Sequence, residues 1–169
     1  YKLFKKECVR NVDYMKDLHD DSIEEITNYL KQEDYEKGKI IFRAGEPVEK
    51  IYFVSNGQIN ISVSHKDSDI PIETLYRGCC IGSNGIVGNF NFNFTGRAIT
   101  KVTLLSLHKD DLKTLNNCCD DLDKAIFERR DYFYNEINEV PYIDFRVEDN
   151  PEENRVLNVK RVVRLSIQR

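Results

Sequence analysis

The side chains best suited to binding a ligand lie between Leu75 and Ala98, in a stretch rich in glycine and asparagine. Glycines at positions 82, 85 and 88 allow backbone N–H groups to turn inward and approach a bound group. A short helical turn predicted over 83–87 would point its partially positive N-terminus at an anion. Ordinary turn chemistry also explains three glycines, so the case for a site depends on their surroundings. The candidate pocket residues are Gly82, Ser83, Asn84, Gly85, Phe92, Asn93 and Thr95.

Asparagine and phenylalanine alternate from Asn89 to Phe94, directly after the glycine-rich turn. In an extended strand, the side chains of Phe90, Phe92 and Phe94 would all point to one face. That face is either ordinary core or a surface from which Phe92 projects into a ligand cavity, and we predict that Phe94 belongs to the core.

Patterns typical of catalysis and metal binding are missing. The histidines (His19, His65 and His108) are scattered, with no carboxylate or cysteine at ligand spacing. Five cysteines form two adjacent pairs and a single residue, which fits neither a disulfide framework nor a zinc ribbon and favours a reducing cytosol. Ser83 has no evident histidine and aspartate partners, and the acidic run at 120–123 lacks EF-hand spacing. We therefore predict neither an enzyme nor a metal site.

Charge is distributed unevenly along the chain. The segment Arg155–Arg169 has five basic residues and no acidic one. Because the whole chain carries −4, the residues before this segment carry −9. An acidic body of this kind argues against nucleic-acid binding, which requires a basic surface.

Helices are predicted on both sides of a run of short strands. A helix is predicted over Asn11–Gln32, and within this stretch Ser22 and Glu25 form a predicted capping box. Helices are also predicted over 110–116 and 120–140, the second stopped by Pro141, and a basic amphipathic helix over 156–167. The predicted strands are Lys39–Arg43, Ile51–Val54, Gln58–Val63, Ile72–Tyr76 and Ala98–Leu107.

The sequence Asn56-Gly57, between two of these strands, is the strongest hairpin signal in the chain. Short strands at this spacing predict an α+β fold in which helices flank an antiparallel β-barrel of the jelly-roll type. We divide the chain into an N-terminal helical segment (1–34), the barrel (35–108, with the pocket stretch at 82–98), two helices (109–141), and a linker with a basic helix (142–169).

Several spaced motifs, in order, resemble the cyclic-nucleotide-binding domain. They are Tyr35-Glu-Lys-Gly-Lys-Ile-Ile-Phe, Ala44-Gly-Glu46, Ile51-Tyr-Phe-Val-Ser-Asn-Gly-Gln-Ile59 and Gly78-Cys-Cys-Ile-Gly82. The resemblance covers roughly 11–140 and is closest to the cytosolic domains of voltage-gated and cyclic-nucleotide-regulated cation channels. The phrase Ile72-Glu-Thr-Leu-Tyr-Arg-Gly78 is similar to protist, particularly ciliate, members of that group.

Two charged ligands of the family are replaced in this sequence. In the family, a glutamate in Phe-Gly-Glu holds the ribose hydroxyl, and an arginine binds the cyclic phosphate. An ungapped comparison from Gly82 to Ala98 places Ser83 at the glutamate position and Phe92 at the arginine position. Losing the arginine pair removes about 1.5 to 3 kcal/mol of binding free energy. Arg97 falls in the following strand in this register, so it would reach the phosphate only if that strand shifted.

The resemblance therefore implies a domain on the cytoplasmic side of a membrane. Its expected partners are the rest of a cation channel, for which potassium is the expected ion, and the sister subunits of that channel. We expect an interaction and gating module with no cofactor, because both charged ligands are missing. The alternative is a sensor that binds cAMP, cGMP or another small ligand through backbone N–H groups and Ser83, Asn84, Asn93 and Thr95. A transcription regulator is a weaker reading, since about thirty residues follow Val140, too few for a winged helix.

The resemblance also implies that the helices at 109–141 form a lid over the barrel. Without a ligand, an internal side chain could hold that lid closed, and the candidates are Phe92 and the segment 142–145. We expect the basic segment Arg155–Arg169 to contact a sister subunit or an acidic membrane surface. The alternative is that it docks on the acidic body of its own domain.

Overall fold

The structure, a computed structural model, describes residues 1–133 and 145–146. Its helices are α1 (Lys2–Arg10), α2 (Asp20–Asn28), α3 (Ser83–Gly88), α4 (Lys109–Cys118) and α5 (Asp120–Asp131). Its strands are β1 (Lys31–Tyr35), β2 (Ile40–Phe42), β3 (Lys50–Asn56), β4 (Ile59–His65), β5 (Ser68–Leu75), β6 (Cys80–Ile81), β7 (Thr95–Ala98), β8 (Val102–His108) and β9 (Phe145–Arg146). The predicted helix end at Val140, the stop at Pro141 and the predicted helix over 156–167 lie outside the described residues.

The strands form two antiparallel sheets. One has five strands in the order β1-β8-β3-β6-β9, and the other has four in the order β2-β7-β4-β5. The α+β class with antiparallel sheets is therefore confirmed. Among the described residues no strand ladder joins the two sheets, so the architecture is a jelly-roll sandwich and the predicted closed barrel is not seen.

Each face of the five-stranded sheet contacts a separate hydrophobic core. Side chains alternate along a strand, so Tyr52 and Val54 of β3 point into the core between the sheets, whereas Ile51 and Phe53 point toward the helices. The intersheet core holds the predicted pocket residue Phe92. The helical core holds α1, α2, α4 and α5 against the outer face of the sheet.

The predicted N-terminal helix is interrupted. Residues 11–18 form turns between α1 and α2, and Gln32, its predicted last residue, lies in β1. The predicted capping box is wrong, because His19 is the N-cap of α2 and Ser22 lies within the helix. The Ser22 hydroxyl instead donates a hydrogen bond to Asp121 Oδ1 at 2.6 Å, which ties α2 to α5.

The hairpin predicted at Asn56-Gly57 is also wrong, since β3 and β4 belong to different sheets. Gly57 adopts φ +88°, and a Cβ there would lie 2.2 Å from the Lys101 carbonyl oxygen. Glycine is therefore required by a close approach of two turns. The observed hairpin joins β4 to β5 through Lys66 and Asp67, both with positive φ as a type I′ turn demands.

The strand predicted over 98–107 is two strands in different sheets, β7 and β8. The turn at 99–101 between them lies beside Gly57, where the Ile99 N–H donates to the Gln58 carbonyl oxygen at 3.0 Å. Among the residues that the structure describes, no helix is both long enough and apolar enough to cross a membrane.

Candidate functional site

The glycine-rich turn forms the predicted short helix, α3, directly after β6. Gly82 is its N-cap with φ +93°, and a Cβ at this position would lie 2.6 Å from the Lys50 carbonyl oxygen. Only glycine fits this conformation and this close approach. The helix ends at Asn89, whose φ of 57° places it in the left-handed region typical of C-caps. These two positions fix where α3 begins and ends.

Phe92 lies in a cluster of four aromatic rings between the two sheets. Its ring stacks on Phe42 with centroids 4.4 Å apart and an interplanar angle of 17°. Phe94 packs edge-on against Phe42 at 5.7 Å and against Phe92 at 6.0 Å, and Tyr52 stacks on Phe42 at 6.1 Å. Phe92 is only 5% exposed and Phe94 1%, so the prediction that Phe94 is core is confirmed. We call these four residues the aromatic cluster.

Phe42 is the centre of this cluster and depends on a glycine in the neighbouring strand. A Cβ at Gly96 would lie 2.3 Å from Phe42 Cζ, so the ring occupies the space that a side chain would take. Burial raises the pKa of Tyr52 to about 12, helped by the nearby carboxylates of Glu33 and Glu46. Its hydroxyl is therefore uncharged at physiological pH, and the aromatic cluster contains no cation that could neutralise an anion.

The three alternating phenylalanines do not share one face, contrary to the prediction. Residues 90–94 form a loop with a single bridge between Pro47 and Asn91, so the two-residue period does not apply. The Phe90 N–H donates to the Gly85 carbonyl oxygen at 2.9 Å, which keeps this residue close to α3. Its ring packs edge-on against Phe133 at 5.3 Å and belongs to the helical core.

The polar candidates are held by contacts with neighbouring elements. The Thr95 hydroxyl oxygen accepts a hydrogen bond from the Ala44 N–H at 3.1 Å. Asn84 Oδ1 accepts from Arg129 Nε at 3.3 Å and from Arg129 Nη2 at 3.2 Å. Arg97 is exposed on β7 and donates to the Gly38 carbonyl oxygen at 2.8 Å, away from the aromatic cluster. The structure thus brings Asn84 to α5, Thr95 to the turn after β2, and Phe92 to the core.

Helix α3 is bound on two sides by the helical parts of the chain. The Tyr14 hydroxyl donates to the Ser83 carbonyl oxygen at 2.8 Å. From α5, Arg129 holds Asn84, and Arg130 Nε donates to the Val87 carbonyl oxygen at 3.4 Å. Arg129 also forms an ion pair with Asp13 at 3.8 Å. This side chain therefore links the N-terminal turn, α3 and α5.

Sequence reasoning missed Phe42, Gly96, Tyr14 and Arg129. A glycine inside a strand is a sequence signal for close approach, so Gly96 could have been identified. Arg129 and Tyr14 act across 45 and 69 positions of chain, and neither lies in a motif that indicates such a contact.

The strand order, the short helix after β6 and the glycine-rich turn can be compared with those of known proteins. Residues 32–117, about half of the chain, match the family model described as the cyclic nucleotide-binding domain. This chain belongs to that family. The match is to a domain that acts as a regulatory module, and it covers β1 through α4.

Relatives that contain a cyclic nucleotide-binding domain differ widely in overall function. Over 91 residues the chain is 31% identical to the cyclic nucleotide-gated potassium channel of Mesorhizobium japonicum, covering 54% of this chain and 24% of the channel. Over 83 residues it is 29% identical to human cGMP-dependent protein kinase 2, covering 48% of this chain and 11% of the kinase. The chain therefore spans a quarter or less of either relative.

A solved structure supports the fold. The N-terminal domain of a transcriptional regulator from Streptomyces coelicolor A3(2) matches with a TM-score of 0.65 at 21% identity, covering 73% of this chain and 86% of that one. At this identity the likeness shows the fold alone.

Proposed function

We propose that this chain is the regulatory domain of a potassium channel, and that it works without a bound cyclic nucleotide. The observation that carries the proposal is the burial of Phe92 against Phe42. By its resemblance to the family, position 92 is where an arginine would bind the cyclic phosphate. An aromatic ring there offers apolar surface, and placing an anion against it without a paired cation is costly.

The role of the domain in this proposal is to pass conformational change between its helices. Helix α3 connects the two helical parts of the domain, because Tyr14 binds it from the N-terminal side and Arg129 binds it from α5. Phe92 takes the place of a ligand and keeps the loop after α3 packed against β2. A ligand shifts an equilibrium by preferring one state, and a permanently buried side chain biases the same equilibrium without a ligand.

The channel assignment is supported by the similarity to the potassium channel of Mesorhizobium japonicum. It also rests on the resemblance of the sequence motifs to channel domains. In this context the domain lies on the cytoplasmic side of a membrane, attached to the rest of the channel and beside its sister subunits. The identity to the kinase is 29% over 83 residues, against 31% over 91 residues for the channel. Both similarities support the domain family, so the choice of a channel depends on the sequence motifs.

Titration calorimetry of the chain with cAMP and with cGMP tests the proposal directly. We expect no binding in the low-micromolar range, since the interactions of both charged ligands are lost. A dissociation constant of about 1 μM for either nucleotide, equivalent to about −8.2 kcal/mol, would overturn the proposal in favour of the sensor, for which Ser83, Asn84, Asn93 and Thr95 are the candidate ligands.

A gain-of-function variant provides the complementary test. The double change Ser83→Glu and Phe92→Arg reintroduces both charges, and we expect nucleotide affinity to rise by about tenfold or more, from the ~1.5–3 kcal/mol of a charge-assisted hydrogen bond. The matched control is Ser83→Gln with Phe92→Leu, which alters the same positions without charge. Equal affinity of the two variants would show that position 92 does not face a nucleotide site.

A further inference from the structure

A groove runs between the turn that follows α1 and the outer side of α5. Its volume is about 510 Å³, and it is open to solvent along its length. Its apolar lining includes Leu18, which is 7% exposed, and Tyr132, which is 41% exposed. The remaining lining residues are Asp13, Tyr14, Asp17, Asp121, Lys124, Ala125, Glu128 and Arg129. The groove therefore offers apolar and aromatic surface beside a charged rim.

The rim is acidic. Four carboxylates line it against two basic side chains, which leaves a net charge of −2. One of the two bases, Arg129, is already bound to Asp13 and to Asn84. Asp17 and Glu128 are exposed, and they lie on opposite sides of the groove, in the N-terminal turn and in α5. A segment that is both cationic and aliphatic matches this surface.

The chain itself supplies such a segment beyond the described residues. Arg155–Arg169 carries five basic and no acidic residues, and seven aliphatic residues are interspersed among the basic ones. We propose that this segment docks in the groove of its own domain, with Lys160, Arg161 and Arg164 facing the acidic rim. The sequence-based expectation placed it instead on a sister subunit or an acidic membrane, and those become outcomes of the test.

The length of the linker allows docking within one molecule. Strand β9 places Phe145 opposite Ile81. Two residues after Ile81, the Ser83 carbonyl oxygen accepts a hydrogen bond from the hydroxyl of Tyr14, a residue that lines the groove. Paired strands lie ~4.8 Å apart and two residues span at most ~7 Å, so β9 passes within about 12 Å of Ser83. The eight residues at 147–154 reach ~26 to 29 Å when extended. The linker is therefore long enough to turn back to the groove.

Docking would brace the N-terminal turn against α5 by charge, in parallel with the Arg129–Asp13 ion pair. The brace would strengthen at low ionic strength and weaken with added salt, because screening shortens the range of these attractions from ~10 Å at 0.1 M to ~3 Å at 1 M. Docking at this surface of the domain is independent of whether a nucleotide binds.

A single fluorescent reporter can detect the segment in the groove. The chain contains no tryptophan, so Tyr132→Trp in the full chain places the only indole in the groove lining. We expect the double change Arg161→Glu and Arg164→Glu to increase acrylamide quenching of this indole about twofold. We expect high salt to change the quenching in the same direction when the segment is wild type. Arg161→Lys with Arg164→Lys is the matched control and should leave quenching unchanged. Adding Asp17→Lys and Glu128→Lys to the charge-reversed segment should restore protection.

Cross-linking distinguishes one molecule from two. A carbodiimide couples the Lys160 amine to Asp17 or Glu128, and an equal mixture of unlabelled and ¹⁵N-labelled chains reports the source of each partner. We expect cross-links of one isotope only. Mixed-isotope cross-links would overturn the proposal in favour of a second copy. Unchanged quenching on charge reversal, with sedimentation of the chain on phosphatidylserine vesicles, would overturn it in favour of a membrane.

Discussion

Phe92 determines what the space between the sheets can hold, because its ring stacks on Phe42 and excludes charge from that position. Replacing it by arginine removes a buried ring and introduces a cation with no partner in the aromatic cluster. We expect Phe92→Arg to lower the free energy of unfolding by about 3 to 5 kcal/mol, the range for deleting a buried phenylalanine. Urea denaturation measures this loss.

The control for this substitution is Asn91→Arg, because Asn91 is exposed and adjacent in the chain. Surface substitutions usually change stability by less than ~0.5 kcal/mol, so this variant should unfold near the wild-type midpoint. Equal midpoints for Phe92→Arg and the wild type would mean that the ring is not buried.

Gly96 makes the aromatic cluster possible, since Phe42 occupies the place of its side chain. We expect Gly96→Ala to destabilise the domain by about 1 to 3 kcal/mol, as overpacking of a core does. Phe42→Leu should also be destabilising by itself. If the clash is the cause, the double variant will lose less stability than the sum of the two single variants, in a double-mutant cycle by thermal unfolding.

At the scale of elements, Arg129 couples α5 to α3 through Asn84 and to the N-terminal turn through Asp13. Arg129→Ala removes these contacts, and the hydrogen bonds are worth about 0.5 to 1.5 kcal/mol. We expect the amides of α3 to exchange with solvent up to about tenfold faster, measured by hydrogen exchange. Lys124→Ala removes an exposed side chain from the same helix and should leave these amides protected. Unchanged exchange in Arg129→Ala would show that α3 is held by other contacts.

Local sequence patterns predicted the elements better than their pairing. Residues close in sequence determine the turn at Ile81-Gly82 that leads into α3. They also determine where α4 and α5 begin, at Lys109 and Asp120. The hairpin at Asn56-Gly57 failed because the same dipeptide serves a turn that crosses between sheets. Its glycine is demanded by Lys101, which lies more than forty positions away.

The candidate site shows the same division. The sequence shows uncharged residues, Ser83 and Phe92, at the two positions where the family resemblance places charged ligands, because this comparison depends only on register. The stacking of Phe92 on Phe42, and the separation of Phe90 into the helical core, require knowledge of which strands face each other. The alternation of asparagine and phenylalanine cannot predict these positions, because residues 90–94 are a loop and not a strand.

At the scale of the whole molecule, Asp121 joins the N-terminal helices to α5. Partial burial raises its pKa, but hydrogen bonds from the Ser22 hydroxyl and from the N–H groups of His19 and Leu122 outweigh this, and the pKa is held below its usual value of 3.8. The unfolded chain therefore binds a proton more readily than the folded one. Stability from this group is present above about pH 5 and is lost as the pH falls through the folded-state pKa.

We expect Asp121→Asn to reduce the difference in unfolding free energy between pH 7 and pH 3, measured by urea denaturation at each pH. The matched control is Asp120→Asn, which changes an exposed carboxylate in the same first turn of α5 and should preserve the wild-type difference. An identical pH dependence in Asp121→Asn and the wild type would contradict this role for the carboxylate.

The interlocking of Gly96, Phe42 and Phe92 has an evolutionary consequence. An arginine regained at position 92 alone would face Phe42, a ring whose fit depends on a glycine in the next strand. That single step loses stability before any affinity is recovered, and selection removes variants that fall below the stability threshold. If position 92 replaces a phosphate-binding arginine, as we propose, a chain with all three residues would gain phosphate binding only through further changes that restore the lost stability.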